Sequence, residues 1–352
     1  MTVRTLVRCM AENRPTSGGV FCFLLKSIFN FASFFYGKGV QIHRLLYQKN
    51  IFKTESFEKT VISIGNLTWG GTGKTPMVEY IANYFITREK IPMILARGYG
   101  KDESKELANK LPAAQLGIGS DRVAVAKKIL SKSSIDMILL DDGFQHWRIK
   151  RDFDIVLINA LNPFGNLSIL PRGILREPMS SLSRASFIIL TDTNLVPRKE
   201  TDFLKEKIRT FNPPVEFAEA CHEPVCFYRA DSPHKQIPLD QLEGKRMTVF
   251  SGIGMPRSFQ MILNRIGVKS VRNFEFDDHH MFLSRELEDI RKEKSLSRSE
   301  GSITTEKDYF RCPGRITQIL NPYILKIHMR LISGEEEFQT RLDSFFEEGS
   351  HG

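Results

Sequence analysis

The sequence predicts an α/β protein with two domains, each built on a mostly parallel sheet, and an amphipathic helix in front of them. A glycine-rich loop links an apolar run at 61–64 to a helix-like segment at 77–85. Short apolar runs then alternate with helical or loop segments, as in doubly wound sheets. A phenylalanine-rich segment at 20–36 precedes the first strand. With 352 residues, the chain is long enough for two ordinary domains.

Composition and turn signals divide the chain into four parts. Residues 1–50 form a basic, amphipathic segment, 51–212 the first α/β domain, 213–246 linker strands, and 247–345 a second, smaller α/β domain. The predicted strands are Val61–Ile64, Pro92–Ala96, Met137–Leu140, Ile155–Asn159 and Phe187–Thr191, then Met247–Phe250, Val271–Phe276, Ser302–Thr305 and Tyr323–Met329. Helices are predicted from about Pro256 and through Arg285–Lys292.

The segment at 20–36 carries its polar and small residues at helical spacing. On a helix, Lys26, Asn30, Ser33 and Gly37 form one narrow stripe and leave a wide, phenylalanine-rich face. This pattern predicts a helix that lies in a membrane interface. A helix packed on the protein's own core is the alternative, because buried helices are also apolar. A full membrane span fits less well, since it requires about 20 apolar residues without a central lysine.

Basic residues outnumber acidic residues, 50 against 41. Most of the excess is N-terminal, because the first fifty residues contain a single acidic residue, Glu12, and the basic residues Arg4, Arg8, Arg14, Lys26, Lys38, Arg44 and Lys49. This distribution favours an anionic membrane surface as the partner over nucleic acid. We predict no obligate protein partner. The five cysteines are scattered, which argues against a disulfide scaffold.

The glycine-rich loop predicts a site for a nucleoside triphosphate. Glycines allow backbone N–H groups to surround phosphates, a lysine neutralises charge on the β- and γ-phosphates, and a hydroxyl can bind Mg²⁺. Lys74 and Thr75 supply the last two groups. The predicted loop residues are Thr68, Trp69, Gly70, Gly71, Thr72, Gly73, Lys74 and Thr75. Together with the flanking strand and helix, they indicate a P-loop NTPase-type domain.

Two adjacent carboxylates, Asp141 and Asp142, close the apolar run that begins at Ile135. A buried parallel strand that ends in acids brings them to the edge of the sheet where ligands bind. One of them is predicted to hold Mg²⁺, directly or through water, and the sequence leaves open which. An ordinary turn at the end of the strand is the alternative.

Several further blocks follow in a characteristic order: Arg97-Gly-Tyr-Gly100, Gly119-Ser-Asp-Arg122, Asp141-Asp-Gly-Phe-Gln-His146, Asn162-Pro-Phe-Gly165, Leu170-Pro-Arg-Gly-Ile-Leu-Arg-Glu-Pro178, Ser251-Gly-Ile-Gly254, Asp278-His-His280 and Thr305-Glu-Lys-Asp308. With the glycine loop, this series resembles the tetraacyldisaccharide 4'-kinase family, the lipid A 4'-kinases. The resemblance implies that ATP, with Mg²⁺, phosphorylates the 4'-hydroxyl of a tetraacylated glucosamine disaccharide 1-phosphate. It also implies a peripheral location at the cytoplasmic face of the bacterial inner membrane, where the lipid substrate resides.

The resemblance also implies roles for individual residues. Asp102 and His279 occupy the positions of the family's catalytic pair, and Glu177 that of an additional acid at the metal site. Arg97, Arg122, Gln145 and His146 are implied as substrate, phosphate or metal-supporting residues. A carboxylate near the sugar hydroxyl suits the chemistry, because a hydroxyl is a poor nucleophile at neutral pH. We expect Lys74, Asp141 and Asp102 to face His279 across a cleft between the domains.

Two other classes of protein would share part of these features. A P-loop ATPase or GTPase that acts as a switch or metal-delivery chaperone would have the same loop and acids. A metal-delivery role usually brings a cysteine-rich motif, which the sequence lacks. An inactive membrane scaffold would share the N-terminal helix but would not require Lys74, Thr75, Asp141 and Asp142.

Overall fold

The computed structural model describes residues 20–98, 107–108 and 110–347. They form two compact units. The first comprises the described residues 20–97, 113–220 and 331–347, and the second the described residues 98, 107–108, 110–112 and 221–330. Each unit combines helices with a mostly parallel sheet, which confirms the predicted fold class.

The sheet of the first unit has β1 at its centre. Its strands are β1 (Thr60–Asn66), β2 (Pro92–Ala96), β3 (Gln115–Ile118), β4 (Met137–Asp141), β5 (Phe153–Asn159), β6 (Phe187–Thr191) and the first part of β7 (Glu216–Arg229). They lie in the order β7-β6-β5-β1-β4-β2-β3, and all neighbours are parallel. All residues of β5 and β6 are buried. Burial on both faces explains why the sequence shows these strands as continuous apolar runs.

The second unit adds β8 (Ser232–Ile237), β9 (Arg246–Ser251), β10 (Lys269–Glu275), β11 (Gly301–Thr305) and most of β12 (Tyr323–Ser333). Strand β9 lies between β10 and β11, and β11 also pairs with β12, all in parallel. Strand β8 forms an antiparallel hairpin with the second half of β7. Phe250, Phe282, Leu287 and Ile316 form part of the core of this unit.

Nine α-helices have bounds that the structure describes: α1 (Val20–Gln48), α2 (Lys74–Ile86), α3 (Arg122–Leu130), α4 (Arg198–Arg209), α5 (Pro256–Arg265), α6 (Ser284–Leu296), α7 (Glu306–Arg311), α8 (Pro313–Ile319) and α9 (Glu335–Glu347). Short 3₁₀ helices occur at Met179–Arg184, Thr193–Leu195 and Leu239–Leu242. Helices α2 and α3 directly follow the segments that carry the glycine loop and Gly119-Ser-Asp-Arg122.

Helix α1 turns its small residues, not its phenylalanines, toward the protein. The Ser33 hydroxyl donates to the Ile169 carbonyl at 2.9 Å and accepts from Arg172 N at 2.9 Å. Gly37 is buried one turn further on. By contrast, Phe31 and Phe34 are 69% and 59% exposed. This orientation argues against the alternative in which the apolar face packs on the core.

Within the described part of the chain, every helix is too short or too polar to cross a membrane.

Helix α9, which the sequence patterns did not reveal, packs against α2 of the first unit. The hydroxyl of Tyr84 donates to Asp343 at 2.7 Å, and that of Tyr80 donates to Glu335 at 2.8 Å. Phe338 is fully buried, with its ring centroid 5.0 Å from that of Phe187 on β6. The C-terminal helix is therefore part of the core that supports the glycine-loop helix.

Replacing Phe338 with alanine should lower the free energy of unfolding by about 3–5 kcal/mol, because it leaves a large cavity against β6. Urea denaturation followed by circular dichroism measures this change. The matched control is Phe203→Ala on α4, since Phe203 is 66% exposed and its loss should cost less than about 0.5 kcal/mol. Equal effects of the two substitutions would contradict the position of α9.

Candidate functional site

The glycine loop joins the end of β1 to the start of α2, as its sequence predicts. Gly73 caps α2 with φ 85° and ψ 23°, and Gly70 has φ 122°. These are conformations that residues with a side chain rarely adopt. Helix α2 begins at Lys74, and its first backbone bond runs from Met77 N to the Gly73 carbonyl at 3.1 Å, so the N–H groups of Lys74 and Thr75 lie ahead of the helical bonds. The helix terminus therefore offers N–H donors and a partial positive charge to an anion.

Three other segments hold the loop in place. Asn66, the last residue of β1, donates its side-chain amide to the Thr72 hydroxyl at 3.0 Å. The hydroxyl of Thr191, at the end of β6, donates to the Thr72 carbonyl at 3.1 Å. On the opposite side, Trp69 N donates to the Ile174 carbonyl at 2.6 Å. The loop is thus fixed before any ligand binds, which lowers the entropic cost of binding.

The acid pair lies at the carboxyl end of β4, beside the loop. Asp141 is the last residue of β4 and is in register with Ile64 of β1. Asp142 follows in a left-handed conformation, with φ 54°. The parallel pairing of β1 with β4 explains the arrangement, because it brings the ends of both strands to the same edge of the sheet.

The Asp142 carboxylate lies between two cations. Arg176 Nη1 is 2.8 Å from each of its oxygens, and Lys74 Nζ is 3.6 Å from Oδ1. Burial raises the pKa of Asp142, but Lys74 and Arg176 outweigh it and hold the pKa below its ordinary value. Asp142 is therefore ionised at neutral pH. The sequence analysis missed Arg176 as a site residue, although it lies within the block that ends in Arg-Glu-Pro.

Arg122 opens α3 next to the acid pair. It is almost fully buried and donates to the Asp142 carbonyl at 3.3 Å. Burial lowers the pKa of its guanidinium, while Asp141 and Asp142 oppose this change. Asp121 caps the helix by accepting from Ala124 N at 3.2 Å. The block Gly119-Ser-Asp-Arg122 thus serves to start α3 and to place a cation behind the acids.

Gln145 and His146 lie in the turn after the acids. The Gln145 amide donates to the Asn66 carbonyl at 3.0 Å, and its oxygen accepts from Arg176 at 3.4 Å. Gln145 therefore links β1 to the Arg176 segment. Burial, together with Arg122 and other arginines, lowers the pKa of His146 to about 4. The imidazole is neutral at physiological pH, and its Nε2 has no hydrogen-bond partner among the described residues.

Glu177 is buried and forms an ion pair with Arg184, whose Nη1 lies 2.9 Å from its carboxylate. The guanidinium of Arg184 also contacts the rings of Phe144 and Trp147, at 4.4 and 4.5 Å from their centroids. Arg184 therefore connects Glu177 to the turn that follows the acid pair. No sequence motif pointed to Arg184, because this contact depends on the fold.

Three predicted residues remain: Arg97, Asp102 and His279. Arg97 follows β2 in the first unit and is exposed, and its charge helps to lower the pKa of Arg122 and of His146, so it lies near both. Asp102 lies outside the described residues.

His279 belongs to the second unit, where its N–H donates to the Gly252 carbonyl at 3.2 Å and its Nε2 is 3.6 Å from Asp278. Burial raises the pKa of Asp278, but Lys307, His279 and Arg311 together bring it below its ordinary value.

The residues of the first unit fit a Mg²⁺ site of the type that uses few protein ligands. Mg²⁺ prefers oxygen donors and is usually held by one or two carboxylates, phosphate oxygens and water. Asp141 and Thr75 provide such donors at the end of β4 and at the start of α2. Both oxygens of Asp142 already accept from Arg176, which favours Asp141 as the ligand. Over residues 20–98, 107–108 and 110–347, no three His, Cys, Asp or Glu side chains form a metal cluster.

The sequence model of the tetraacyldisaccharide-1-P 4'-kinase family matches residues 25–347. The chain belongs to this family. A probable mitochondrial tetraacyldisaccharide 4'-kinase of Arabidopsis thaliana is 31% identical, over 89% of this chain and 88% of its own. The tetraacyldisaccharide 4'-kinase of Elusimicrobium minutum is 33% identical, over 88% of this chain and 89% of its own. These matches confirm the resemblance inferred from the sequence blocks.

A solved structure supports the same assignment. The crystal structure of LpxK from Aquifex aeolicus in complex with ATP matches this fold with a TM-score of 0.69 and 27% identity. The match covers 92% of this chain and 99% of that chain. The family's fold therefore extends over nearly the whole chain.

Acid should destabilise this protein partly through His146. Its pKa is lower in the folded protein than in the unfolded chain, so the unfolded chain binds more protons between pH 6.5 and about 4. Stability is then lost as the pH falls through this window. Between pH 7 and pH 5, the free energy of unfolding of the neutral variant His146→Gln should therefore fall less than that of wild type, by about 1–2 kcal/mol. Thermal unfolding midpoints at pH 7 and pH 5 measure it, with the exposed His234→Gln as control. An equal drop in wild type and His146→Gln would rule out this contribution.

Proposed function

We propose that this protein transfers the γ-phosphate of ATP to the 4'-hydroxyl of tetraacyldisaccharide 1-phosphate, a step in the synthesis of lipid A. The observation that carries the proposal is the family match, together with the cluster of Lys74, Asp142 and Arg176 at the start of α2. Membership of this kinase family favours this function over a nucleotide-dependent switch or a metal-delivery chaperone.

The triphosphate is proposed to bind at the glycine loop. The N–H groups at the start of α2 and the ammonium of Lys74 would face the phosphates. Lys74 and Arg176 share Asp142, so both cations lie at this end of the sheet. Their positive charge would stabilise the charge that develops on the transferred phosphoryl group.

Thr75 and Asp141 are the residues that we propose to hold Mg²⁺, with Glu177 and Asp142 in supporting positions. When bound, the metal would neutralise charge on the β- and γ-phosphates. Arg122 and the neutral His146 would orient the acids from behind. Gln145, which bonds to both Asn66 and Arg176, would keep the turn and the loop in a fixed relation.

The acceptor hydroxyl requires a group that takes or orients its proton. We propose Asp102, assisted by His279, in this role, because a carboxylate close to the hydroxyl raises its nucleophilicity. Arg97 is proposed as a contact to the substrate phosphate. The family resemblance supports these three roles.

The membrane contact is proposed for α1. Its exposed face carries Ile28, Phe31, Phe34 and Phe35, which is a larger apolar surface than isolated exposed side chains provide. Lys26 and Lys38 on the same helix would add attraction to anionic lipids. We therefore propose a peripheral position at the cytoplasmic face of the inner membrane, where the lipid acceptor is found.

Replacing Lys74 with alanine should lower phosphoryl transfer on the order of 10²–10³-fold, because one preorganised charge at the γ-phosphate is lost. A radiolabel assay with tetraacyldisaccharide 1-phosphate in mixed micelles measures this rate. Lys128→Ala on the exposed face of α3 is the matched control and should leave the rate unchanged. Normal turnover in Lys74→Ala would refute the phosphate site at this loop.

The triple substitution of Phe31, Phe34 and Phe35 by serine should release the protein from anionic vesicles, because the apolar face of α1 would lose its aromatic rings. High salt should weaken only the electrostatic share of binding in wild type. Vesicle sedimentation at low and high salt separates the two contributions. The control is Phe203→Ser, which removes a similarly exposed ring from α4. If the triple variant and the control sediment alike, the membrane contact lies elsewhere.

A further inference from the structure

Three short blocks of the second unit meet around a single glycine. Gly252 follows the end of β9, His279 lies between β10 and α6, and Asp308 is in α7 after β11. A side chain at position 252 would come within 3.0 Å of the Cβ of His280, which shows how closely these segments approach. The three blocks lie far apart in the sequence, and the fold brings them together.

Both backbone groups of Gly252 are bonded to these blocks. Its N–H donates to the two carboxylate oxygens of Asp308, at 3.1 Å each. Its carbonyl accepts from Arg311 Nη1 at 2.7 Å and from His279 N at 3.2 Å. Arg311 therefore holds the carbonyl that accepts from His279, and Asp308 holds the N–H on the other side of the Gly252 Cα.

Asp308 and Arg311 form a buried ion pair. Arg311 Nη1 is 2.9 Å from Asp308 Oδ1, and the Thr305 hydroxyl donates to Asp308 Oδ2 at 2.8 Å. Asp308 is 0% exposed and Arg311 is 7% exposed. A buried pair with such partners has few alternative arrangements, so it fixes the position of whatever it contacts.

His279 adopts a left-handed backbone conformation, with φ 62°. This conformation is unfavourable for a residue with a side chain and persists only where neighbours enforce it. The His279 N–H has two acceptors, the Gly252 carbonyl and Asp278 Oδ1 at 3.0 Å. Arg311 approaches both acceptors, because its Nη2 lies 3.8 Å from Asp278 Oδ1.

We propose that Asp308 and Arg311 are positioning residues that fix Gly252 and Asp278 and thereby set the direction of the His279 imidazole. The proposal rests on the proposed function, in which His279 assists phosphoryl transfer. Neither residue contacts substrate in this role. A purely structural pair would instead stabilise α7 without any specific effect on His279.

The test is a double-mutant cycle with Arg311→Lys and His279→Ala. Lysine keeps the charge but lacks the planar guanidinium group, which reaches the Gly252 carbonyl and the carboxylates of Asp308 and Asp278. In the wild-type background, Arg311→Lys should lower kcat about 10-fold or more with the KM for ATP unchanged. In the His279→Ala background, the same substitution should lower kcat less than about twofold, because its effect passes through His279. Asp308→Asn, which keeps the shape of the side chain, should behave in the same way.

The matched control is Arg315→Lys. Arg315 donates to the Phe282 carbonyl in the same unit and has no described bond to Gly252 or Asp278. Its replacement should leave kcat unchanged in both backgrounds. Circular dichroism establishes that each variant is folded. Equal losses from Arg311→Lys with and without His279, or no loss in either background, would overturn the proposal.

A second measurement does not depend on activity. In histidine-labelled protein, NMR titration should show that Arg311→Lys shifts the chemical shift and pKa of His279 but not those of the exposed His234. Unchanged His279 signals would overturn the positioning role. If His279→Ala retained full activity, the catalytic role of His279 would fail, while the NMR result would still decide whether Arg311 positions it.

Discussion

The carboxylate of Asp142 is the interaction on which the site in the first unit depends. It brings together the glycine loop through Lys74, the acid turn itself, and the segment that carries Arg176. The acid pair Asp141 and Asp142 faces three cations, Lys74, Arg176 and Arg122, which leaves a local excess of positive charge, and the start of α2 adds to it. Such an arrangement tolerates, and electrostatically favours, the arrival of a polyanion.

Most strands of the fold could be predicted, because a strand that is buried on both faces appears in the sequence as a continuous apolar run. Pro92–Ala96 and Phe187–Thr191 were predicted with the bounds that the structure has. Strand β3 was missed, since Gln115–Ile118 is short and half exposed. Helix α9 was missed for another reason. It has only a few buried apolar residues, such as Phe338 and Leu342, and many charged residues lie between them. Its placement depends on contacts with α2 and β6, which local patterns do not encode.

The candidate site shows the same division between local and long-range information. Lys74, Asp141 and Asp142 were predicted because each lies in a short block whose chemical role can be recognised from the local sequence alone. Arg184 and Arg311 were not, although each contacts a residue of such a block. Arg184 meets Phe144 and Arg311 meets Gly252 across long separations in sequence, which only the folded chain brings together. Partners that act through other residues are therefore the part of a site that a single sequence conceals.

The hydroxyl of Ser33 gives α1 a direct connection to the interior of the first unit. It bonds to Ile169 and Arg172, and the same segment bonds to the glycine loop through Ile174 and Trp69. The segment Ile169–Ile174 is thus bonded to α1 at one end and to the glycine loop at the other. Free-energy coupling between two sites is reciprocal. Any ligand that orders this segment by binding to α1 must therefore tighten nucleotide binding at the loop, and nucleotide must strengthen the binding of that ligand by the same free energy.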